Sequence, residues 1–194
     1  MVGSFLEFMG YCQPLNKNSS KYESTFVVDC ANGVCSNILR SIDDRISEHI
    51  KLTLINARSE KNDSINERCG PQYVFEEKLE PVCYTETMPD KVVSISSDGG
   101  RLVYWKRSAN SKSPIIMNGE KTFSILAEYI IFQLESVGIG NCDHMVIITP
   151  FANSKCRAYL ETNMISTICI PGGQREAEPE IKKHIISIYC EPNG

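Results

Sequence analysis

The residues with the clearest capacity for chemistry lie in a turn between two apolar runs, Val92–Ile95 and Leu102–Trp105. The turn contains a carboxylate, two glycines and a guanidinium in the sequence Asp98-Gly99-Gly100-Arg101. β-Branched apolar runs on both sides of an Asp-Gly pair predict a β-hairpin, and such a hairpin can present charged groups to a ligand. Asp-Gly and Gly-Gly are also ordinary turn residues, so the turn alone leaves a purely structural role open.

A second polar pair follows the apolar run Thr25–Val28, which is suited to a strand buried on both faces. Asp29 and Asn32 come at the carboxyl end of this strand, where open α/β sheets collect ligand-binding groups. The same side chains can instead shape the loop into the next helix. The sequence leaves these two roles open.

The chain has nine cysteines and three histidines, without a Cys-x-x-Cys pair. Structural zinc needs closely paired soft ligands, so no zinc site is predicted. Most of the cysteines lie in apolar segments and are predicted to be buried thiols of a protein in a reducing compartment, here the cytoplasm. Cys142 and His144 lie two residues apart without an evident third orienting group, which leaves an unrelated Cys-His enzyme as a further alternative.

The composition favours one or two small globular cores, because 42% of the 194 residues are hydrophobic and 23% are charged. The net charge is −4 and basic residues form no run, so nucleic acid is not expected as a partner. No apolar stretch approaches the roughly 20 residues that span a bilayer, so no membrane partner is expected either. The N-terminus lacks the basic region of a signal peptide.

The elements that must position these residues follow from apolar periodicity. Strands are predicted at 25–28, 52–56, 92–95, 102–105, 114–117, 145–149, 166–170 and 185–189. Helices are predicted at 38–46, with Ser36 or Asn37 as the cap, and at 118–137, 154–162 and 174–183. These elements form an N-terminal segment and linker at 1–21, one domain at 22–117 and another at 118–194.

Several short runs along the chain form an ordered set of motifs. Residues 28–34 match a V-D-C-A-N-G-[IV] run, and 65–66 with 69–70 match an L-N-x-x-C-G segment. Residues 118–121 are similar to a D-G-D-K helix start, and 191–194 to an E-A-N-G loop. Taken in order, these motifs resemble those of the phosphoacetylglucosamine mutases within the α-D-phosphohexomutases. The resemblance covers residues 22–194, as the second domain and most of the third in a four-domain enzyme.

This resemblance implies an α/β fold with two α-D-phosphohexomutase-type domains, each a mixed sheet with flanking helices. It also implies a reaction, the interconversion of N-acetylglucosamine 6-phosphate and 1-phosphate on the route to UDP-N-acetylglucosamine. A phosphoserine in the first domain donates the phosphoryl group and the fourth domain binds the substrate's phosphate. Neither part is encoded here, so the missing domains of the same enzyme are expected as partners of a partial mutase. The alternative is a non-catalytic remnant that binds a sugar phosphate or a protein.

The family's metal run, D-G-D-A-D-R, implies Mg²⁺ as the cofactor. Asp98 and Gly99 match its first two positions and Arg101 matches its last, in a loop that looks shorter and lacks two carboxylates. Asp98 is therefore the expected metal ligand, and Arg101 is expected to offset phosphate charge. Mg²⁺ requires hard oxygen ligands in near-octahedral geometry, which a single carboxylate supplies poorly.

The resemblance also assigns residues toward an amino-sugar phosphate. The family's T-G-V-K-H run falls on 172–176, where Arg175 replaces the lysine and Glu176 replaces the histidine. Arg175 is expected to bind phosphate through its guanidinium. Glu191, Asn193 and Gly194 match the loop that holds sugar hydroxyls.

Overall fold

The computed structural model describes residues 25–47, 50–57, 64–111, 113–139, 144–149, 152 and 154–190. Four residues with predicted roles, Cys142, Glu191, Asn193 and Gly194, lie outside this part of the chain.

Five strands form the first sheet, in the order β2-β1-β3-β4-β5. They are β1 Thr25–Asp29, β2 Lys51–Ile55, β3 Lys91–Ile95, β4 Leu102–Lys106 and β5 Ile115–Met117. Strands β2, β1 and β3 run parallel, whereas β3, β4 and β5 pair antiparallel. The predicted hairpin is therefore confirmed, and it forms the junction between the parallel and antiparallel halves of a mixed sheet.

Three parallel strands form the second sheet, in the order β7-β6-β8. They are β6 His144–Ile148, β7 Thr167–Cys169 and β8 Ile186–Cys190. The α/β fold class is confirmed. The mixed character belongs to the first sheet, since the described strands of the second sheet all run in one direction.

Five described helices accompany the sheets: α1 Cys35–Ile46, α2 Gly70–Glu77, α3 Gly119–Ser136, α4 Ser154–Thr162 and α5 Gln174–Ile181. Helix α3 begins where the sequence predicts, because Asn118 Oδ1 accepts a hydrogen bond from the Lys121 amide at 3.1 Å. The capping prediction for α1 is wrong. Val34 occupies the N-cap position without a side-chain bond, and Ser36 lies in the first turn, where its hydroxyl donates to the Gly33 carbonyl.

Each sheet has its own core. In the first, Val27, Val92 and Trp105 pack together with the α2 residue Val74. The second core combines β6 with α3 and α4 through Val146, Ile148, Phe123, Ala127 and Leu160. The predicted apolar stripe of α3 is buried only in part, because Leu126 remains 47% exposed and Val137, just beyond the helix, 68%.

Candidate functional site

The turn between β3 and β4 is held by hydrogen bonds within it. The Ser96 hydroxyl donates to Asp98 Oδ1 at 2.5 Å, and the same oxygen accepts the Gly100 amide at 3.1 Å. Ser96 Oγ in turn accepts the Arg101 amide at 2.9 Å. Backbone bonds from Gly99 to the Ser96 carbonyl and from Ser96 to the Arg101 carbonyl complete the turn. Asp98 and Arg101, both predicted from the sequence as site residues, thus share one compact turn.

The electrostatics of Asp98 follow from these contacts. The Ser96 hydroxyl, followed by the Gly100 amide, lowers the pKa of the Asp98 carboxyl below its ordinary value. Hydrogen bonds donated to a carboxylate stabilise its charged form, which accounts for the direction of the shift. Asp98 is therefore an exposed, ionised acid with one oxygen engaged by its own turn.

The strand ends fix the length of the turn. β3 ends at Ile95 and β4 begins at Leu102, and these two residues are paired across the hairpin. Six residues therefore connect the strands, the same number as the positions in the D-G-D-A-D-R run. Counting back from Arg101, the structure favours placing Ser96, Asp98 and Gly100 at the three carboxylate positions. The loop is then not shortened, and two of its three carboxylates are replaced by a hydroxyl and a glycine.

These residues do not fit a magnesium ion. A Mg²⁺ site needs several oxygen ligands in near-octahedral geometry, and this turn offers one carboxylate whose Oδ1 already accepts two hydrogen bonds. Within the described residues, no group of three or more His, Cys, Asp or Glu side chains could hold a metal. The predicted role of Asp98 as a metal ligand is thus left with little supporting geometry.

The turn also packs closely against the loop that follows β1. The Val34 amide donates to the Ser97 carbonyl at 2.9 Å. A Cβ added to Gly33 would lie 2.1 Å from that carbonyl oxygen, so only glycine allows the two backbones to approach this closely. Gly33 therefore sets the position of the charged turn from 64 positions earlier in the chain.

Asp29, at the end of β1, accepts four hydrogen bonds in the same region. Its Oδ1 accepts from the Ala31 amide at 3.2 Å and the Asn56 side-chain amide at 2.9 Å. Its Oδ2 accepts from the Gly70 amide at 2.7 Å and the Ser94 hydroxyl at 2.8 Å. Burial raises the pKa of Asp29, and these four bonds oppose that shift. Of the two roles the sequence left open, the structure favours shaping the loops, because the side chain is fully buried.

Arg101 lies where two clefts meet. A small cleft of about 130 Å³ is lined by Asn66, Gln72, Asp98 and Arg101 among others. A larger one of about 420 Å³ extends from Arg101 and Gln72 to Asn118 and Gly119 at the start of α3. The structure thus brings the charged turn of the first sheet next to the helix start that the sequence motifs singled out.

Two polar residues of this region were not predicted as site residues. The Asn66 side-chain amide donates to the Ser97 hydroxyl at 3.3 Å, and Gln72 lies in the first turn of α2. Asn66 belongs to the L-N-x-x-C-G match, which was the available signal. Gln72 carried no comparable signal, because Gly70-Pro71 looks like an interruption between elements.

Arg175 lies apart from these clefts. It is exposed in the first turn of α5, after Gly173 at the N-cap, and it lines neither the small nor the larger cleft. The carboxylate of Glu176 packs against Gly172, so an acid covers the start of this helix where the family has a histidine. The two predicted arginines therefore lie in different elements, Arg101 in the β3–β4 turn and Arg175 in α5.

The described cysteines agree with the sequence analysis. Cys30, Cys35, Cys69, Cys156 and Cys190 are buried thiols, whereas Cys83 and Cys169 are exposed. Burial raises the pKa of Cys30 and of Cys69 to about 12, so neither is a thiolate at neutral pH.

Comparison with known proteins identifies the relatives of this chain. Residues 118–194 match the family model for phosphoacetylglucosamine mutase AMG1, domain III. Phosphoacetylglucosamine mutase 1 of Schizosaccharomyces pombe is 27% identical over 173 residues, which cover 88% of this chain and 33% of the relative. The chain is thus similar in sequence to phosphoacetylglucosamine mutases. The human phosphoacetylglucosamine mutase is 26% identical over 201 residues, covering 95% of this chain and 35% of its own.

Solved structures of the mutases share the fold. A product complex of N-acetylglucosamine-phosphate mutase has a TM-score of 0.82 at 22% identity, covering 100% of this chain and 36% of that one. The Aspergillus fumigatus N-acetylphosphoglucosamine mutase in complex with GlcNAc-6P and magnesium has a TM-score of 0.79 at 24% identity, covering 91% and 36%. The two sheets thus share the fold of the matching part of these solved mutases. The chain spans about a third of the length of the curated mutases it matches.

None of the helices in the described ranges is both long enough and apolar enough to cross a bilayer.

Proposed function

We propose that this chain forms the second-domain and third-domain part of a mutase that interconverts N-acetylglucosamine 6-phosphate and N-acetylglucosamine 1-phosphate in the cytoplasm. The observation that carries the proposal is the extent of the match, since curated mutases align over 88% to 100% of the chain. The domain III match, which begins at residue 118, supports a boundary between 22–117 and 118–194. The phosphoserine and phosphate-binding domains are then partners that complete the site.

In this proposal the chain's own residues supply charge and hydroxyl recognition. Phosphoryl transfer requires the negative charge on the transferring oxygens to be offset. Arg101 supplies a guanidinium at the junction of the two clefts, and Arg175 supplies another at the start of α5. Glu191, Asn193 and Gly194 bind the sugar in this proposal, the first two through its hydroxyls.

A non-catalytic remnant that binds a sugar phosphate or a protein partner is the second candidate. The observation that favours it is the turn at Asp98, where two of three carboxylate positions hold Ser96 and Gly100. The mutase segment predicts turnover when the missing domains are supplied, whereas the remnant, whether it binds a sugar phosphate or a protein, predicts none.

The test is complementation with segments of the Schizosaccharomyces pombe mutase. The chain is mixed with the portions of that enzyme lying outside the match, and ³¹P NMR follows the conversion of N-acetylglucosamine 6-phosphate. The matching segment of the same enzyme is the control, because it shows that the supplied portions can assemble. Turnover with this chain, lowered about 100-fold by Arg101→Ala, is the expected result. Turnover with the control segment, but not with this chain, would favour the non-catalytic remnant.

A further inference from the structure

We infer that the β3–β4 turn, residues 96–101, binds no hard divalent cation, although the fold's relatives include a magnesium complex. The inference goes beyond the proposed function and stands independently of it, since the cation alone is the probe. It is derived from the donor groups of the turn and from what they already bind.

Three of the four side-chain oxygens of the turn are engaged, namely Asp98 Oδ1, Ser96 Oγ and Ser97 Oγ. Asp98 Oδ1 accepts from Ser96 Oγ and from the Gly100 amide, and Ser96 Oγ accepts from the Arg101 amide. Ser97 Oγ pairs with the Asn66 side-chain amide. A cation that took Asp98 Oδ1 and Ser96 Oγ as ligands would displace three hydrogen bonds within the turn.

Three of the six backbone carbonyls of the turn are engaged as well. The carbonyls of Ser96 and Arg101 accept amides from within the turn, and the carbonyl of Ser97 accepts the Val34 amide. Gly33 lies against the Ser97 backbone, which prevents the turn from opening toward the β1–α1 loop. A cation that took the carbonyl of Ser96, Ser97 or Arg101 as a ligand would therefore break a hydrogen bond that holds the turn.

The net charge of the turn does not favour a cation either. The turn has one acid, Asp98, and one base, Arg101, so its net charge is zero. Mg²⁺ loses its hydration shell reluctantly and is normally held through carboxylates. The attraction of a neutral turn, with one carboxylate oxygen already hydrogen-bonded, is too weak to offset the free-energy cost of removing that hydration shell.

Replacing two residues should restore a cation site. Gly100 has space for a side chain, because an added Cβ would meet only the Asp98 carboxylate, at 3.5 Å. Ser96, which is 9% exposed, lies beside the same carboxylate. The variant Ser96→Asp/Gly100→Asp therefore places three carboxylates together in a turn of unchanged length.

The experiment is a Mn²⁺ titration of the intact chain, observed as paramagnetic broadening of backbone amide signals by NMR. Mn²⁺ serves as the probe for hard divalent cations and is added to about 10 mM, well above the range of a functional Mg²⁺ or Ca²⁺ site. The exposed acids Asp43 and Asp44 on α1 provide the internal reference for non-specific binding. We expect the Gly99, Gly100 and Arg101 signals to broaden no more than those of the reference pair. Asp98→Asn should change the broadening of these signals little.

Two outcomes would overturn the inference. One is saturable, submillimolar broadening of the turn in the natural chain that Asp98→Asn abolishes. The other is a folded Ser96→Asp/Gly100→Asp variant whose affinity for Mn²⁺ rises less than about tenfold, since the missing carboxylates would then not be the cause. Gly100→Asp alone is the second variant. It leaves the buried Ser96 position unchanged and should show a smaller gain in affinity for Mn²⁺.

Discussion

The hydroxyl of Ser96 donates to the carboxylate of Asp98 at 2.5 Å, so the one acid of the β3–β4 turn is bound by the turn itself. Ser96 occupies the position at which an acid is expected when the turn is aligned with the mutase metal run. A carboxylate at this position would accept hydrogen bonds, whereas the Ser96 hydroxyl donates one to its neighbour. The local chemistry of the turn therefore differs from that of the run with which it is aligned.

The Ser96–Asp98 bond predicts how the turn titrates. The pKa of Asp98 lies below its ordinary value of 3.8, so the stabilisation it gives the folded turn is present above that pH. It is lost as the pH falls through the lower, folded-state value. The Gly100 amide, which donates to the carboxylate, should report this transition in an NMR pH titration.

Ser96→Ala should move the midpoint of that titration upward, toward 3.8, because the largest cause of the shift is removed. Ser97→Ala is the matched control, since the Ser97 hydroxyl pairs with Asn66 and not with Asp98. An unchanged midpoint in Ser96→Ala would show that the 2.5 Å contact does not hold the carboxylate in its charged form.

Gly33→Ala should destabilise the chain and displace the charged turn together. The added Cβ would lie 2.1 Å from the Ser97 carbonyl oxygen, a backbone atom that cannot rotate away, and overpacking of this kind costs about 3 kcal/mol. Urea denaturation measures the loss. Gly100→Ala is the control and should cost under about 1 kcal/mol, because its Cβ meets only the Asp98 carboxylate at 3.5 Å. Equal losses in the two variants would refute this account of Gly33.

Asp29→Asn should be strongly destabilising although it is nearly isosteric. The carboxylate accepts two donors on each oxygen, and an amide would turn its NH₂ group toward one of these pairs. Leaving buried donors unpaired costs about 3 kcal/mol in the free energy of unfolding, measured by urea denaturation. Asp43→Asn on the exposed face of α1 should change it by less than about 0.5 kcal/mol. If Asp29→Asn lowers the free energy of unfolding no more than Asp43→Asn does, the four donors must find other acceptors.

Much of the fold was predictable from local patterns. The strand pairs and the helices α3, α4 and α5 have apolar periodicity or clear starting residues, such as Asn118 before α3. Helix α2 was missed because Gly70-Pro71 is typical of an interruption, yet proline is favoured in the first turn of a helix, where its missing amide is not needed.

The site was less predictable because its contacts are distant in sequence. The role of Asp29 depends on Gly70 and Ser94, which lie 41 and 65 positions later. The position of the charged turn depends on Gly33, which the sequence marked only as part of a motif. The roles of Arg101, Arg175, Glu191, Asn193 and Gly194 stay predictions, and the last three lie outside the described residues.

The most direct measurement of the central claim is a ¹⁵N NMR titration of the intact chain with N-acetylglucosamine 6-phosphate in the presence of EDTA. If the chain recognises an amino-sugar phosphate through its own arginines, signals of Arg101 and of residues 172–176 should shift and saturate. Arg175→Ala should weaken binding about tenfold, as expected for a charge-assisted contact to phosphate. N-acetylglucosamine without phosphate is the control and should bind more weakly. No saturable shift at either arginine by about 10 mM ligand, weaker than the usual range of substrate affinities, would contradict the account.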